Sequence, residues 1–149
     1  MLVPERVRAL IVDDNAYARA ATAATLRKLG IVQITETETA QDALLHLIAA
    51  PFDVLFMDWY IPEMSGAALL QIIRDPRFGR NGALPVILMT AYPSREVLTR
   101  ARGLGISDAL TKPFTGAHVA AALQRVLFGW AVPADESLPR AAGDDAVFL

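Results

Sequence analysis

Five short apolar runs, rich in branched side chains, recur along the chain between longer segments of helical period. They are Val7 to Val12, Val32 to Thr35, Val54 to Met57, Val86 to Thr90 and a weaker run near Ala109 to Thr111. In Val7 to Val12, Val54 to Met57 and Val86 to Thr90 apolar and polar residues do not alternate, so these strands must be covered on both faces. That is the pattern of a parallel sheet sandwiched between helices. The sequence therefore predicts an α/β fold, a doubly wound five-stranded parallel sheet built from βα units between residues 7 and 128.

The intervening segments carry helix signals. "TAQDALLHLIAA" opens with Thr39 and has Asp42 three residues on, a capping-box arrangement. Ala40, Ala43, Leu44, Leu47 and Ile48 then follow core-face spacing. The last helix has Val119, Ala122, Leu123, Val126 and Leu127 on one stripe, with Thr115 as N-cap. The first is predicted to end at "KLG", where Lys28 suits the negative end of the dipole and Gly30 a left-handed cap.

Composition narrows the function classes. With 149 residues, 54% of them hydrophobic, the chain suits one domain with a full core. A net charge of −2 gives no bulk attraction to nucleic acid or anionic lipid, so neither is expected as a partner. There is no cysteine, hence neither a disulfide scaffold nor a thiolate metal site. "MLVPERVRAL" lacks the apolar core of a signal peptide, and no run approaches a membrane span, so a soluble, cytoplasmic protein is expected.

In doubly wound sheets ligands sit beyond the carboxyl ends of the strands. Those ends carry Asp13 and Asp14, Asp58, Thr90 and Lys112. Singly, each has an ordinary reading: Asp14 could cap a helix, Asp58 open a turn, Thr90 fill a strand and Lys112 face solvent. Together they put three carboxylates, a hydroxyl and a lysine at one edge. Crowded carboxylates raise one another's pKa unless they share a cation. Oxygen ligands without histidine or cysteine suit a hard divalent ion, Mg²⁺ (or Mn²⁺), rather than zinc. A carboxylate beside such an ion and a lysine is placed to attack a phosphoryl group, with Thr90 donating to one of its oxygens.

These residues fall in "VDDN" (12 to 15), "MDWYIPEMSG" (57 to 66), "LMTAY" (88 to 92) and "LTKPF" (110 to 114). In this order the motifs resemble the receiver domain of the two-component response regulators, over about residues 7 to 128. The resemblance implies a CheY-like (flavodoxin-like) sheet of order 2-1-3-4-5. It also implies Asp58 as the phospho-acceptor, with Asp13, Asp14, Asp58 and the Tyr60 backbone carbonyl around the metal. Thr90 and Lys112 would contact the phosphoryl group, and Lys112 would precede Pro113 at a cis bond. The donor would be a histidine kinase or a histidine phosphotransfer protein, docked against the alanine-rich first helix. A downstream protein target would read the face of the fourth helix, fifth strand and fifth helix. Such a domain catalyses only its own phosphorylation and dephosphorylation, and small Ala91 leaves the phosphoryl group room.

The chain also departs from the family. Ala109 stands where receivers usually carry a switching aromatic, and Tyr92 or Phe114 is expected to take over part of that coupling. Tyr60 and Tyr92 flank the pocket, and two rings there would slow the attacking water. "RDPRFGRNGALP", 74 to 85, brings Arg74, Arg77 and Arg80 close together and reads as a solvated loop, with partner contact as its alternative. Residues 1–128 are expected to form the receiver domain. Residues 129–149, with four acids against one base, are expected to be a disordered tail without room for a DNA-binding output domain. Trp130 and the terminal "AVFL" keep docking of that tail open. Two other classes compete: a binding module indifferent to phosphorylation, suggested by Ala109, and more remotely a haloacid-dehalogenase-type phosphohydrolase. The latter would place its nucleophile after the first strand.

Overall fold

The structure, a computed structural model, describes residues 3–127. The expectations for the acidic tail, Trp130 and "AVFL" lie outside the described residues. After a 3-10 turn at Pro4–Arg6, strands and helices alternate: β1 (Arg8–Val12), α1 (Ala16–Lys28), β2 (Gln33–Thr37), α2 (Ala40–Ala49), β3 (Val54–Asp58), α3 (Gly66–Arg74), β4 (Val86–Thr90), α4 (Arg95–Leu104), β5 (Asp108–Thr111) and α5 (Gly116–Val126). All the strand pairs are parallel, in the order β2-β1-β3-β4-β5.

The non-alternating runs are explained by two cores, one on each face. Ile11, Phe56, Ile87, Met89 and Leu110 pack with Ala23 and Leu26 of α1 and Val119 and Leu123 of α5. Leu10, Val12, Leu55, Met57 and Leu88 point the other way, onto Ala43 and Leu47 of α2, Leu69 and Leu70 of α3 and Ala101 of α4. Successive residues of β1, β3 and β4 thus serve opposite faces, both dry, whereas the edge strand β2 is mostly exposed or half-buried.

The α2 stripe is narrower than its sequence suggests. Ala40, Ala43 and Leu47 are buried and Leu44 is partly buried, but Ile48 is 67% exposed. Ile48 lies about 100° round the helix from Leu47, beyond the seam that reaches the sheet. Thr39 does cap the helix by accepting from the Asp42 amide. The reciprocal box forms at α5, where Thr115 accepts from the His118 amide and His118 Nδ1 accepts from the Thr115 amide.

The arginine-bearing connection between α3 and β4 departs from its solvated-loop reading at Arg74, while Arg77 and Arg80 are exposed. Arg74 turns inward and donates to the carbonyls of Gly105 (3.1 and 2.8 Å) and Gly82 (2.8 Å), tying α3 to the end of α4. Arg77 pairs with neighbouring Asp75, and Arg80 reaches Ala49 O at 3.4 Å, so the three do not form a shared basic patch. Asn81 is buried, donating to Leu47 O and Ala50 O and accepting from the Phe52 amide. It caps the last carbonyls of α2 from another part of the chain, which removes orphan acceptors at that helix end.

Candidate functional site

β1 ends in the carboxylates of Asp13 and Asp14, and the chain then turns into α1. Asn15, rather than Asp14, caps this helix, accepting from the Ala18 amide at 2.9 Å. That leaves both aspartates for other work. The Asp13 amide still bonds the β2 carbonyl of Thr37, so Asp13 sits at the top of the ladder. Its Oδ1 accepts from the Asn15 amide at 2.9 Å, which fixes the carboxylate across the turn.

Asp58 ends β3. Directly behind it, Gly66 donates to Trp59 O at 2.9 Å, and a Cβ at Gly66 would stand 2.9 Å from Asp58 O. Only glycine lets α3 start this close to the acceptor strand. Carboxylate oxygens of Asp13, Asp14 and Asp58 lie within 4.8 Å of one another, a spacing that one metal ion can bridge.

Lys112 approaches from beyond β5, its amide held by Thr90 O at 2.8 Å. Its Nζ donates to Asp13 Oδ2 at 2.7 Å and to Asp58 Oδ2 at 2.9 Å. Pro113 follows in a cis peptide. Buried Thr90 ends β4, and its Oγ1 accepts from the Tyr92 amide at 3.0 Å, leaving its O–H to donate elsewhere.

The electrostatics of the cluster are unbalanced. Burial raises the Asp58 carboxyl above its ordinary pKa; the Lys112 bond and charge pull it down, nearby Asp13 pushes it up, and the net shift is upward. Burial pulls the Lys112 ammonium down, but bonds and charges from Asp13 and Asp58 outweigh this and hold it above the usual lysine value. The two partners differ because one ammonium serves two carboxylates: the lysine collects both attractions, whereas each acid receives a share. Three carboxylates and one ammonium leave two net negative charges, which a single divalent ion neutralises. The oxygen donor set and this charge deficit both fit Mg²⁺.

Tyr60 and Tyr92, each two residues past a site residue, form an edge-to-face pair with ring centroids 6.5 Å apart, both largely exposed. The Tyr60 amide makes a long bond, 3.4 Å, to Asp58 Oδ1. Ala109 is fully buried in the core shared with α2, α3 and α4, whereas Phe114 packs on the α1/α5 face. Phe114 therefore cannot fill the space that an aromatic at 109 would take. Beside it, Ala18, Thr22, Ala91, Lys112 and Pro113 line a cavity of about 370 Å³. Sequence reasoning missed Arg19, which holds the Asp13 carbonyl at 2.8 Å. Its signal was a cation in the first turn of a helix, against the dipole.

A family model for the response regulator receiver domain matches residues 9–124. The chain is 31% identical over 126 residues to a probable chemotaxis protein CheY of Rhizobium etli, spanning 85% of this chain and 96% of the relative. It is 35% identical over 109 residues to chemotaxis protein CheY of Pseudomonas aeruginosa, spanning 73% and 86%. Chemotaxis response regulator CheY4 of Vibrio cholerae has a similar solved structure, with a TM-score of 0.73 at 27% identity over 81% of this chain and 98% of that one. So has the receiver domain of a sensor histidine kinase of Pseudomonas aeruginosa PAO1, with a magnesium ion coordinated in its active site cleft. There the TM-score is 0.72 at 27% identity, over 80% and 96% of the two chains.

Proposed function

The chain belongs to the response regulator receiver domain family, and from that premise we propose that Asp58 is its phospho-accepting residue in a Mg²⁺-dependent transfer from a phosphohistidine. It is a phospho-accepting response regulator of two-component signalling. The observation that carries the assignment to Asp58 is Lys112 bridging Asp58 and Asp13 beside the third acid, Asp14.

An Asp58 carboxylate oxygen attacks phosphorus, a P–O bond forms and the P–N bond to the donor imidazole breaks. The electron pair leaves on that nitrogen, which takes up a proton. Asp13, Asp14, Asp58 and the Tyr60 carbonyl would hold Mg²⁺, which when bound would supply positive charge to offset that on the transferring oxygens. Lys112 follows the charge from the free carboxylate to the phosphoryl oxygens, and Thr90 donates its hydroxyl to another. Hydrolysis by water later returns the carboxylate and inorganic phosphate.

The rest of the reading concerns contacts. The exposed alanines of α1 and the cavity beside Phe114 support docking of a helix that carries the donor histidine, from a kinase or a phosphotransfer protein. The link from the Thr90 hydroxyl to the Tyr92 amide supports Tyr92, rather than Phe114, as the side chain that responds to phosphorylation in the absence of an aromatic at 109. The response would pass to a protein partner at the face of α4, β5 and α5 by a shift between pre-existing states. The dehalogenase-type reading falls with family membership and with an acceptor strand that is third, not first.

The test is the intact mass of the protein after incubation with MgCl₂ and acetyl phosphate, beside Asp58→Asn and an EDTA control. One phosphoryl adduct that needs both Asp58 and Mg²⁺ supports the reading. No adduct under any condition leaves a binding module that works without phosphorylation, and partner binding unaffected by Asp58→Asn would then be expected.

A further inference from the structure

We infer that Arg19 is a positioning residue for the divalent cation, setting the Asp13–Asp14 turn from behind, with Glu36 as the counter-charge that lets it do so. The inference rests on the Mg²⁺ reading of the acidic cluster given above.

Arg19 is a local anomaly. It lies in the first turn of α1, which holds no acidic residue, and a cation there opposes the helix dipole. Places where a sequence breaks a local rule tend to be places where function compensates it. The compensation is visible here. The Arg19 guanidinium folds back along its own helix and its Nη1 donates to Asp13 O at 2.8 Å, while its Nε lies 3.6 Å from Glu36 Oε1 on β2. Arg27, one helical stretch further on, reaches the other Glu36 oxygen at 3.9 Å. The Arg19 side chain is 19% exposed and Asp13 is fully buried, so the contact with the Asp13 carbonyl is shielded from water.

Asp13 is the residue whose geometry matters most. Its amide is tied to Thr37 O, its Oδ1 to the Asn15 amide and its Oδ2 to Lys112. The carbonyl is the remaining polar group, and Arg19 occupies it. Without that donor a buried acceptor is left unpaired, and the peptide between Asp13 and Asp14 gains a reason to rotate. Rotation would swing the Asp14 carboxylate out of the set of oxygens that lie within 4.8 Å of one another. Glu36 matters for a different reason. An unneutralised guanidinium this near the cluster would repel a divalent ion; Glu36, which also meets Arg27, offsets part of that charge while Arg19 supplies its hydrogen bond.

The experiment titrates the protein with MgCl₂ and follows the amide resonances of Asn15 and Tyr60, with melting temperatures recorded alongside. The dissociation constant is measured well below the melting transition, where a merely structural contribution of Arg19 does not move it. Arg19→Ala is expected to weaken Mg²⁺ binding about tenfold, the loss expected when a buried acceptor is orphaned. Arg19→Lys, which can still donate to Asp13 O, should recover part of that loss. Glu36→Gln should also weaken binding, because it leaves the Arg19 guanidinium without its counter-charge. A lower melting temperature with unchanged Mg²⁺ affinity in Arg19→Ala overturns the inference. Should Arg19→Ala not fold, Glu36→Gln alone with unchanged affinity overturns it equally. A parent chain that shifts no resonance with Mg²⁺ removes both the inference and the metal reading, an outcome distinct from the others.

Discussion

Lys112 Nζ lies 2.7 Å from Asp13 Oδ2, closer than to Asp58 Oδ2. The ammonium therefore belongs as much to the metal-side acid as to the acceptor. Removing it deletes a positive charge from the cluster and a donor from the transfer. Lys112→Met should bind Mg²⁺ more tightly than the parent, because one more negative charge is uncompensated. Its rate of phosphoryl uptake from acetyl phosphate should fall by about a hundredfold, typical of losing one donor to a developing charge. Titration and adduct kinetics on the same sample check both signs.

Asp58 is an acid whose folded pKa is raised, chiefly by burial. The folded state then binds this proton more strongly than the unfolded state, so ionising Asp58 costs stability as pH rises through the raised value. The cost is absent below the ordinary value of 3.8 and fully present above the raised one. Asp58→Asn in EDTA should therefore melt higher than the parent on the alkaline side of that titration, with the gain lost in acid. Adding Mg²⁺ should reverse the order, since only the parent retains all three carboxylates. Calorimetric scans with and without the ion decide it.

Tyr60 and Tyr92 each follow a site residue, Asp58 and Thr90, by two positions, and their rings are expected to restrict the approach of water. Tyr60 and Tyr92 lean edge-to-face with centroids 6.5 Å apart, so truncating either opens the mouth. Tyr60→Ala should shorten the acyl-phosphate lifetime several-fold, read as decay of the phosphorylated mass. An unchanged half-life would mean that the rings merely stack.

Asn81 satisfies three backbone groups from within the fold, two carbonyls at the end of α2 and the Phe52 amide. Asn81→Ala should destabilise the domain by about 2–3 kcal/mol through these orphaned groups, with the yield of phosphoryl adduct at low temperature unaffected. Urea denaturation gives the first quantity and mass spectrometry the second.

Legibility followed the range of the interaction. The runs at Val54 to Met57 and Val86 to Thr90 read directly as strands because branched, apolar neighbours are a local signal. Thr115 read directly as a cap because its partner His118 is three residues away. Ile48 misled because helical spacing defines a stripe without saying how wide a strip of it the sheet covers. Arg74 misled more completely: a guanidinium in a polar segment looks solvated until Gly105, 31 residues on, presents its carbonyl. Asp14 looked like a cap because the sequence does not say which of Asp14 and Asn15 has the extended backbone that capping requires; the structure gives that role to Asn15.

By itself, then, the sequence determined the βα alternation, the two-sided burial of β1, β3 and β4 and the placing of Asp13, Asp14, Asp58, Thr90 and Lys112 at strand ends. Each of these depends on neighbours within a few residues. Only the tertiary structure decided which groups share charges and hydrogen bonds. Lys112 divides itself between acids 99 and 54 residues away, and Arg19 takes its counter-ion from β2. Such pairings depend on angles and distances set when the helices pack on the sheet, and a linear order of residues carries no record of those.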